Sequence, residues 1–179
     1  GTIPNPLNPI VNTVEKIIGD VGANINNFID GTVNVGGNGS FVIDLSLNAL
    51  TVNVSNPGVA SQVFEVVNFD NVKGTQNTDS IIGNDNANTI FGSAGNDIID
   101  GAGGADVIDY TGLGQSIDVL DTGDILKGGS LGTDSINNIE TIIADSAVTG
   151  NSIDGEDNVG VSFTVDLAAE TLDVAVDGG

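Results

Sequence analysis

Residues 74–109 read GTQNTDSII (74–82), GNDNANTIF (83–91), GSAGNDIID (92–100) and GAGGADVID (101–109), four nines in register. Position one is always glycine: Gly74, Gly83, Gly92 and Gly101. Position six is Asp79, Asn88, Asp97 and Asp106, and position eight is Ile81, Ile90, Ile99 and Ile108. A weaker copy precedes them, with Asp70 at six and Val72 at eight. A β-branched aliphatic once per nine predicts one very short strand per nine, its inward residue stacking on its counterpart in the next coil. The remaining residues must turn. Position four is Asn77, Asn86, Gly95 and Gly104, the residue types that accept a left-handed backbone most cheaply.

Turn and strand in alternation predict a flattened, parallel β-solenoid in which two nines complete one coil. Equivalent turns are then two repeats apart, so Asp79 should stack on Asp97, Asn88 on Asp106, and Asp70 below Asn88. Carboxylates stacked at one strand spacing, roughly 4.8 Å, repel unless a cation lies between them. Calcium suits that gap, because it takes six to eight oxygen ligands and turn carbonyls can supply those the carboxylates do not. The competing reading is that these side chains only cap their turns, as Asp and Asn commonly do.

The nonapeptide, with glycine at one, aspartate at six and an aliphatic at eight, resembles the RTX (hemolysin-type) calcium-binding repeat of bacterial tandem-module proteins. The resemblance is specific over 65–109 and looser over 40–64 and 110–176. It implies a parallel β-roll, with calcium held by one carboxylate from each adjacent turn together with turn carbonyls. The Asp79–Asp97 pair is the strongest such site, and Asn88–Asp106, with one neutral member, the weaker. The second glycine of the family's pattern is replaced by Thr75, Asn84, Ser93 and Ala102, which leaves the carbonyl geometry open. Proteins of this family are typically bacterial and exported by type I secretion, with calcium folding them after exit.

Composition agrees with a metal-dependent fold. The 179 residues carry 25 acidic side chains against Lys16, Lys73 and Lys127, a formal charge of −22. Hydrophobic residues make up 39% and mean hydropathy is +0.17, which separates the chain from plain acidic disorder. Metal binding couples to folding in such a chain, so the roll is expected to be largely unfolded without calcium. Three scattered lysines make no patch for phosphate, which excludes nucleic acid and disfavours an anionic membrane surface. No run of about 18 apolar residues is present to span a bilayer. With no cysteine, compartment is read from the metal: extracellular modules bind calcium at about 10⁻⁴–10⁻³ M, which points outside the cell. The chain opens on glycine without a visible signal peptide, and is expected to be processed or excised from something longer.

Away from the nines, apolar residues at Val11, Val14, Ile17, Ile18, Val21, Ile25, Phe28 and Ile29 follow the stripe of an amphipathic helix, with Gly31 as its stop. Gly19 and Gly22 weaken that reading. The helix would cap the solenoid or dock on another subunit. Residues 40–54, SFVIDLSLNALTVNV, return at 162–176 as SFTVDLAAETLDVAV, an offset of 122 that keeps Phe41/Phe163, Asp44/Asp166, Leu45/Leu167 and Leu50/Leu172 in step. Both copies read as strand pairs. NFDNV at 68–72 resembles NIETI at 138–142. The organisation expected is therefore an N-terminal start and helix (1–39), a strand pair leading in (40–73), the nonapeptide roll (74–109), an irregular solenoid continuation (110–160) and the opening of a second module (161–179). In the irregular part Asp121, Asp124 and Asp134 read as solvated turn residues before calcium ligands.

Residue type removes histidine-dependent catalysis and leaves open a glycosidase-type pair of carboxylates, for which 4% aromatic residues provide few sugar platforms. Without histidine there is neither a zinc-protease motif nor a Ser-His-Asp triad, and no nucleophile elbow, P-loop or EF-hand spacing occurs. The sequons at Asn38 and Asn53 are short enough to arise by chance. The leading expectation is a non-enzymatic, secreted, calcium-binding roll that self-associates or joins neighbouring modules in a bacterial surface layer, adhesin stalk or filament. The rivals are an accessory folding or secretion domain of an exported enzyme or toxin and, last, a carbohydrate-processing solenoid using carboxylates in 110–160.

Overall fold

The computed structural model describes residues 15–19, 27–31, 39–54, 60–120, 122–153, 161–166 and 171–176, with 15–16 and the last two stretches described through the backbone alone. The first strands are β1 (Glu15–Ile18), β2 (Phe28–Asp30), β3 (Gly39–Asp44), β4 (Ala49–Val54) and β5 (Gln62–Val67). The nonapeptide strands follow: β6 (Asn71–Lys73), β7 (Ser80–Ile82), β8 (Thr89–Phe91), β9 (Ile98–Asp100) and β10 (Val107–Asp109). Next come β11 (Ile117–Val119), β12 (Ile125–Lys127), β13 (Gly132–Asn137), β14 (Thr141–Ile143) and β15 (Ser152–Ile153), and last β16 (Val161–Asp166) and β17 (Thr171–Val176). Among the described residues there is no helix.

Successive nines alternate between two sheets, as a period of two strands per coil requires. β3, β7, β9 and β13 are neighbours in one sheet, and β2, β6, β8, β10 and β14 form the other, all paired in parallel. The middle residue of each strand points inward. Ile29, Val72, Ile90 and Ile108 stack in one sheet and Ile43, Ile81 and Ile99 face them from the other, all buried. Ile136 and Ile142 continue the two rows, partly buried. Burying each such side chain contributes about 1.5–3 kcal/mol, so a strand of only three residues persists because its one inward residue sits in a continuous row.

The eighteen-residue coil is broken by an inserted antiparallel hairpin on each side of the nonapeptides. β4 and β5 intervene between β3 and β6, and β11 and β12 between β10 and β13. Both extend the first sheet sideways, to β1 at one end and β15 at the other. Tyr110 stands where a fifth nine would place its glycine. Its amide donates to the Ile143 carbonyl (2.8 Å), as Gly92 donates to Asp109 and Gly83 to Asp100. Its ring lies against Gly92, where a Cβ would meet the ring carbons at van der Waals overlap.

The amphipathic helix expected near the N-terminus is not found where the chain is described. Glu15–Ile18 is a strand pairing in parallel with β5, and Phe28–Asp30 pairs with β6. Ile17 and Ile18 are exposed, so the apolar stripe is not a buried helical face. The stripe is made almost wholly of β-branched residues with glycines between them, which favours extended chain, and the free edge of β5 supplies its hydrogen bonds. The rest of that expected helix lies outside the described residues, as does Asp121. The 122-residue repeat survives at the level of register: β3–β4 pairs Gly39 with Val54 and Asp44 with Ala49, while β16–β17 pairs Val161 with Val176 and Asp166 with Thr171.

Candidate metal centre

Asp79, Asn88 and Asp97 each close their own turn, and all four position-six side chains bond to a neighbouring coil. On the first edge Asp79 Oδ2 accepts from the Thr75 amide (2.6 Å), four residues back, and from the Thr75 hydroxyl (3.1 Å). Asp79 Oδ1 accepts from the Phe41 amide (2.6 Å) in the coil below, and the Asp79 amide donates to Asp97 Oδ1 (2.9 Å) in the coil above. Asp97 closes its turn through the Ser93 hydroxyl (3.1 Å), and its amide donates to Asp134 Oδ1 (3.1 Å). On the second edge Asn88 Oδ1 accepts from the Asn84 amide (2.9 Å), the Asn88 amide donates to Asp106 Oδ1 (2.7 Å), and the Asp106 amide to Glu140 Oε2 (2.6 Å). Asp70 lies below Asn88, as its place in the weak fifth copy predicts. Its carbonyl accepts from Asn88 Nδ2 (3.0 Å) and its Oδ1 from Asn86 Nδ2 (3.3 Å).

Asp79, Asn88, Asp97 and Asp106 are all buried. Burial pushes the Asp79 and Asp106 carboxyls above the usual range, against the amide bonds that favour the anion. Burial and then the neighbouring Asp134 charge push Asp97 up further, to about 7. Asp106 Oδ2 is buried without a hydrogen-bond partner among the described residues. Such an orphaned oxygen, on a carboxyl whose ionisation burial opposes, fits a hard divalent cation. Among the described residues no three acidic side chains stand close enough to hold an ion alone, so turn carbonyls must complete its shell. A shallow groove of about 580 Å³ runs beside the first edge, lined by Gln76, Asn77, Gly95 and Asn96 among others.

The glycines set how closely turns stack. A Cβ at Gly95 would lie 2.6 Å from the Asn77 carbonyl, and one at Gly104 2.5 Å from that of Asn86. Gly74 approaches Asp79 and Ser93, Gly83 approaches Asn88 and Gly101, and Gly101 approaches Asp106 and Asn138 with equally little room. The left-handed backbone expected at position four occurs at Gly95 (φ 119°) and Gly104 (φ 126°) but is absent from Asn77 and Asn86. Those two asparagines instead bind through their side chains, Asn77 Nδ2 to the Gly39 carbonyl (2.8 Å) and Asn86 to Asp70. At position two Ala102 takes φ 69°, a strained value for a residue with a Cβ.

Three participants escape the nine-residue spacing. Asp134, expected in a solvated turn, is fully buried, and its Oδ2 accepts from the Tyr110 hydroxyl (2.8 Å). Glu140 does for Asp106 what Asp97 does for Asp79. Lys127 is buried, and its ammonium donates to the Ser93 carbonyl (2.7 Å), to Asp97 Oδ2 (3.4 Å) and to Asp134 Oδ1. Asp124 is half-exposed and takes a bond from the Thr122 hydroxyl, as a turn residue does.

Residues 73–108 match the RTX calcium-binding nonapeptide repeat, in four copies. No curated protein matches the chain. The chain therefore contains a calcium-binding type of repeat, and the ladder of position-six side chains is the part of the fold those four copies build.

Proposed function

We propose that this chain, with its four RTX calcium-binding repeats, is a secreted and non-catalytic calcium-folded roll that serves as a structural module of a bacterial surface assembly. Calcium acts as the folding switch: it lies between stacked turns, neutralises their carboxylates and ties adjacent coils. Asp79 and Asp97 hold it on the first edge, and Asp106 with the oxygens of the Asn88 turn on the second, turn carbonyls completing each shell. Proteins carrying such repeats are typically secreted, and a formal charge of −22 is tolerated most readily where millimolar calcium is present.

The observation that carries the structural role is the 122-residue repeat, whose two hairpins share one pairing register on either side of the calcium roll. Repetition of whole modules is how solenoids extend into arrays. Among the described residues no helix is long and apolar enough to cross a membrane, and the assembly envisaged needs none.

The test is a calcium titration of the full chain from chelator to several millimolar, with magnesium as control, followed by far-UV circular dichroism and by light scattering. A cooperative gain of β signal with calcium alone, accompanied by growth in particle size, supports the reading. A chain already fully folded in chelator and unable to bind calcium overturns it, since the aspartates are then turn caps. A calcium-folded chain that stays monomeric at high concentration removes the assembly role and favours an accessory folding module of an exported protein.

A further inference from the structure

Calcium is expected between successive turns, yet one such place already holds a positive charge. Lys127 reaches the edge from β12, part of the inserted hairpin, and its side chain is fully buried. It touches one carboxylate from each of two adjacent coils, Asp97 and Asp134, and the position-two carbonyl of Ser93. That donor set, two stacked carboxylates and a turn carbonyl, is the one the repeat offers to calcium. The oxygens are otherwise satisfied, Asp134 by Tyr110 and the Asp97 amide and Asp97 by Ser93 and the Asp79 amide. One of only three lysines in the chain is spent here. A buried ammonium is retained only where anions surround it.

We propose that the Lys127 ammonium is a built-in substitute for calcium at the upper end of the first edge, so that the Asp97–Asp134 junction closes without metal while the junctions below it require it. The proposal rests on the reading that calcium lies between stacked turns. It assigns this junction no calcium in the parent protein and predicts that deleting the ammonium creates a site. The inserted hairpin, pinned by its lysine, then marks where the calcium row stops.

The test compares the full chain with K127M and K127R. Calcium bound per chain is measured by equilibrium dialysis, and amide hydrogen exchange is measured in chelator. K127M is expected to bind one more calcium than the parent, and K127R the parental number. In chelator the Asp97 and Ser135 amides, protected in the parent, should exchange at least about ten-fold faster in K127M. Equal stoichiometry in K127M and parent overturns the proposal. So does a K127M chain that stays unfolded at about 10 mM calcium, above the range of extracellular modules, while K127R folds, because calcium then cannot stand where the ammonium stood. A parent that binds no calcium at all is a different result: it strikes the calcium-roll reading itself.

Discussion

The two edges of the roll are built from the same nine residues and differ in how their charge is met. The first stacks three buried carboxylates, Asp79, Asp97 and Asp134, around one buried lysine. The second stacks a neutral Asn88, a buried Asp106 and an exposed Glu140, and leaves Asp106 Oδ2 with no partner among the described residues. Where a protein cation is supplied, every carboxylate oxygen at the junction is bonded. On the second edge, where none is supplied, Asp106 Oδ2 is left over. The same backbone ladder is thus closed by a side-chain cation at one junction and keeps an unmatched oxygen on the other edge, and the lysine that makes the difference comes from the insertion following Asp109.

The largest effect is expected at the centre of the first edge. Asp97→Ala removes the acceptor of the Asp79 amide and one partner of the Lys127 ammonium, and breaking a buried pair of this kind costs about 3–5 kcal/mol. The matching Asp106→Ala on the second edge should cost about 1–3 kcal/mol, since an amide acceptor is lost but no cation is stranded. Urea unfolding of both variants, at one fixed calcium concentration at which each is folded, measures the gap, and equal losses would show that the edges do not differ as described.

Asn88→Asp should make the second edge resemble the first without its lysine. The new carboxylate faces the Asp70 carbonyl, to which the Asn88 side-chain amide donates a bond in the parent. Calcium-free stability should fall, by about 1–3 kcal/mol for the lost buried bond, while calcium affinity rises with ligand charge. Calorimetric titration against the parent chain separates the two effects.

Acidity provides a third contrast. Asp79, Asp97 and Asp106 all titrate higher in the folded chain than in the unfolded one. Each therefore adds stability that is fully present below the unfolded value near 3.8 and is lost as pH rises through the folded value, about 7 for Asp97. In chelator the β signal in circular dichroism should grow as pH falls from 8 to about 5. In calcium the trend should reverse, because protons compete with the ion for the same oxygens. The smallest effect is local to the second edge: Ala102→Gly relieves a left-handed backbone and should add about 1 kcal/mol, readable as a small rise in denaturation midpoint.

Much of this architecture is visible in the period alone. Position eight marks the core rows at Ile81, Ile90, Ile99 and Ile108, and position six marks the ladder, because both repeat without interruption. Asp134, Glu140 and Lys127 are invisible to that reasoning. The inserted hairpin stretches the interval between bonded partners from 18 residues to 37 for Asp97–Asp134 and 34 for Asp106–Glu140. Nothing in the local sequence of Asp134 distinguishes it from a solvated turn; its burial follows from where the hairpin returns it. A clue lay in Tyr110, a large ring at a glycine position, which signals that the regular rows end there. The N-terminal stripe misled for the opposite reason: its apolar spacing fits a helix, while its β-branched composition and the open edge of β5 favour a strand.

In a parallel roll the hydrogen bonds between coils run along the long axis, so a pull on the two ends loads every junction in series. Such an object yields first at its weakest joint. On the reading proposed above, junctions that depend on dissolved calcium should weaken whenever the surrounding concentration drops, whereas the one clasped by Lys127 should keep its strength. Tension in a calcium-poor medium should therefore open the nonapeptide coils and spare the neighbouring hairpin. The spared junction would be a ready-made template on which the slack chain rewinds when the ion returns.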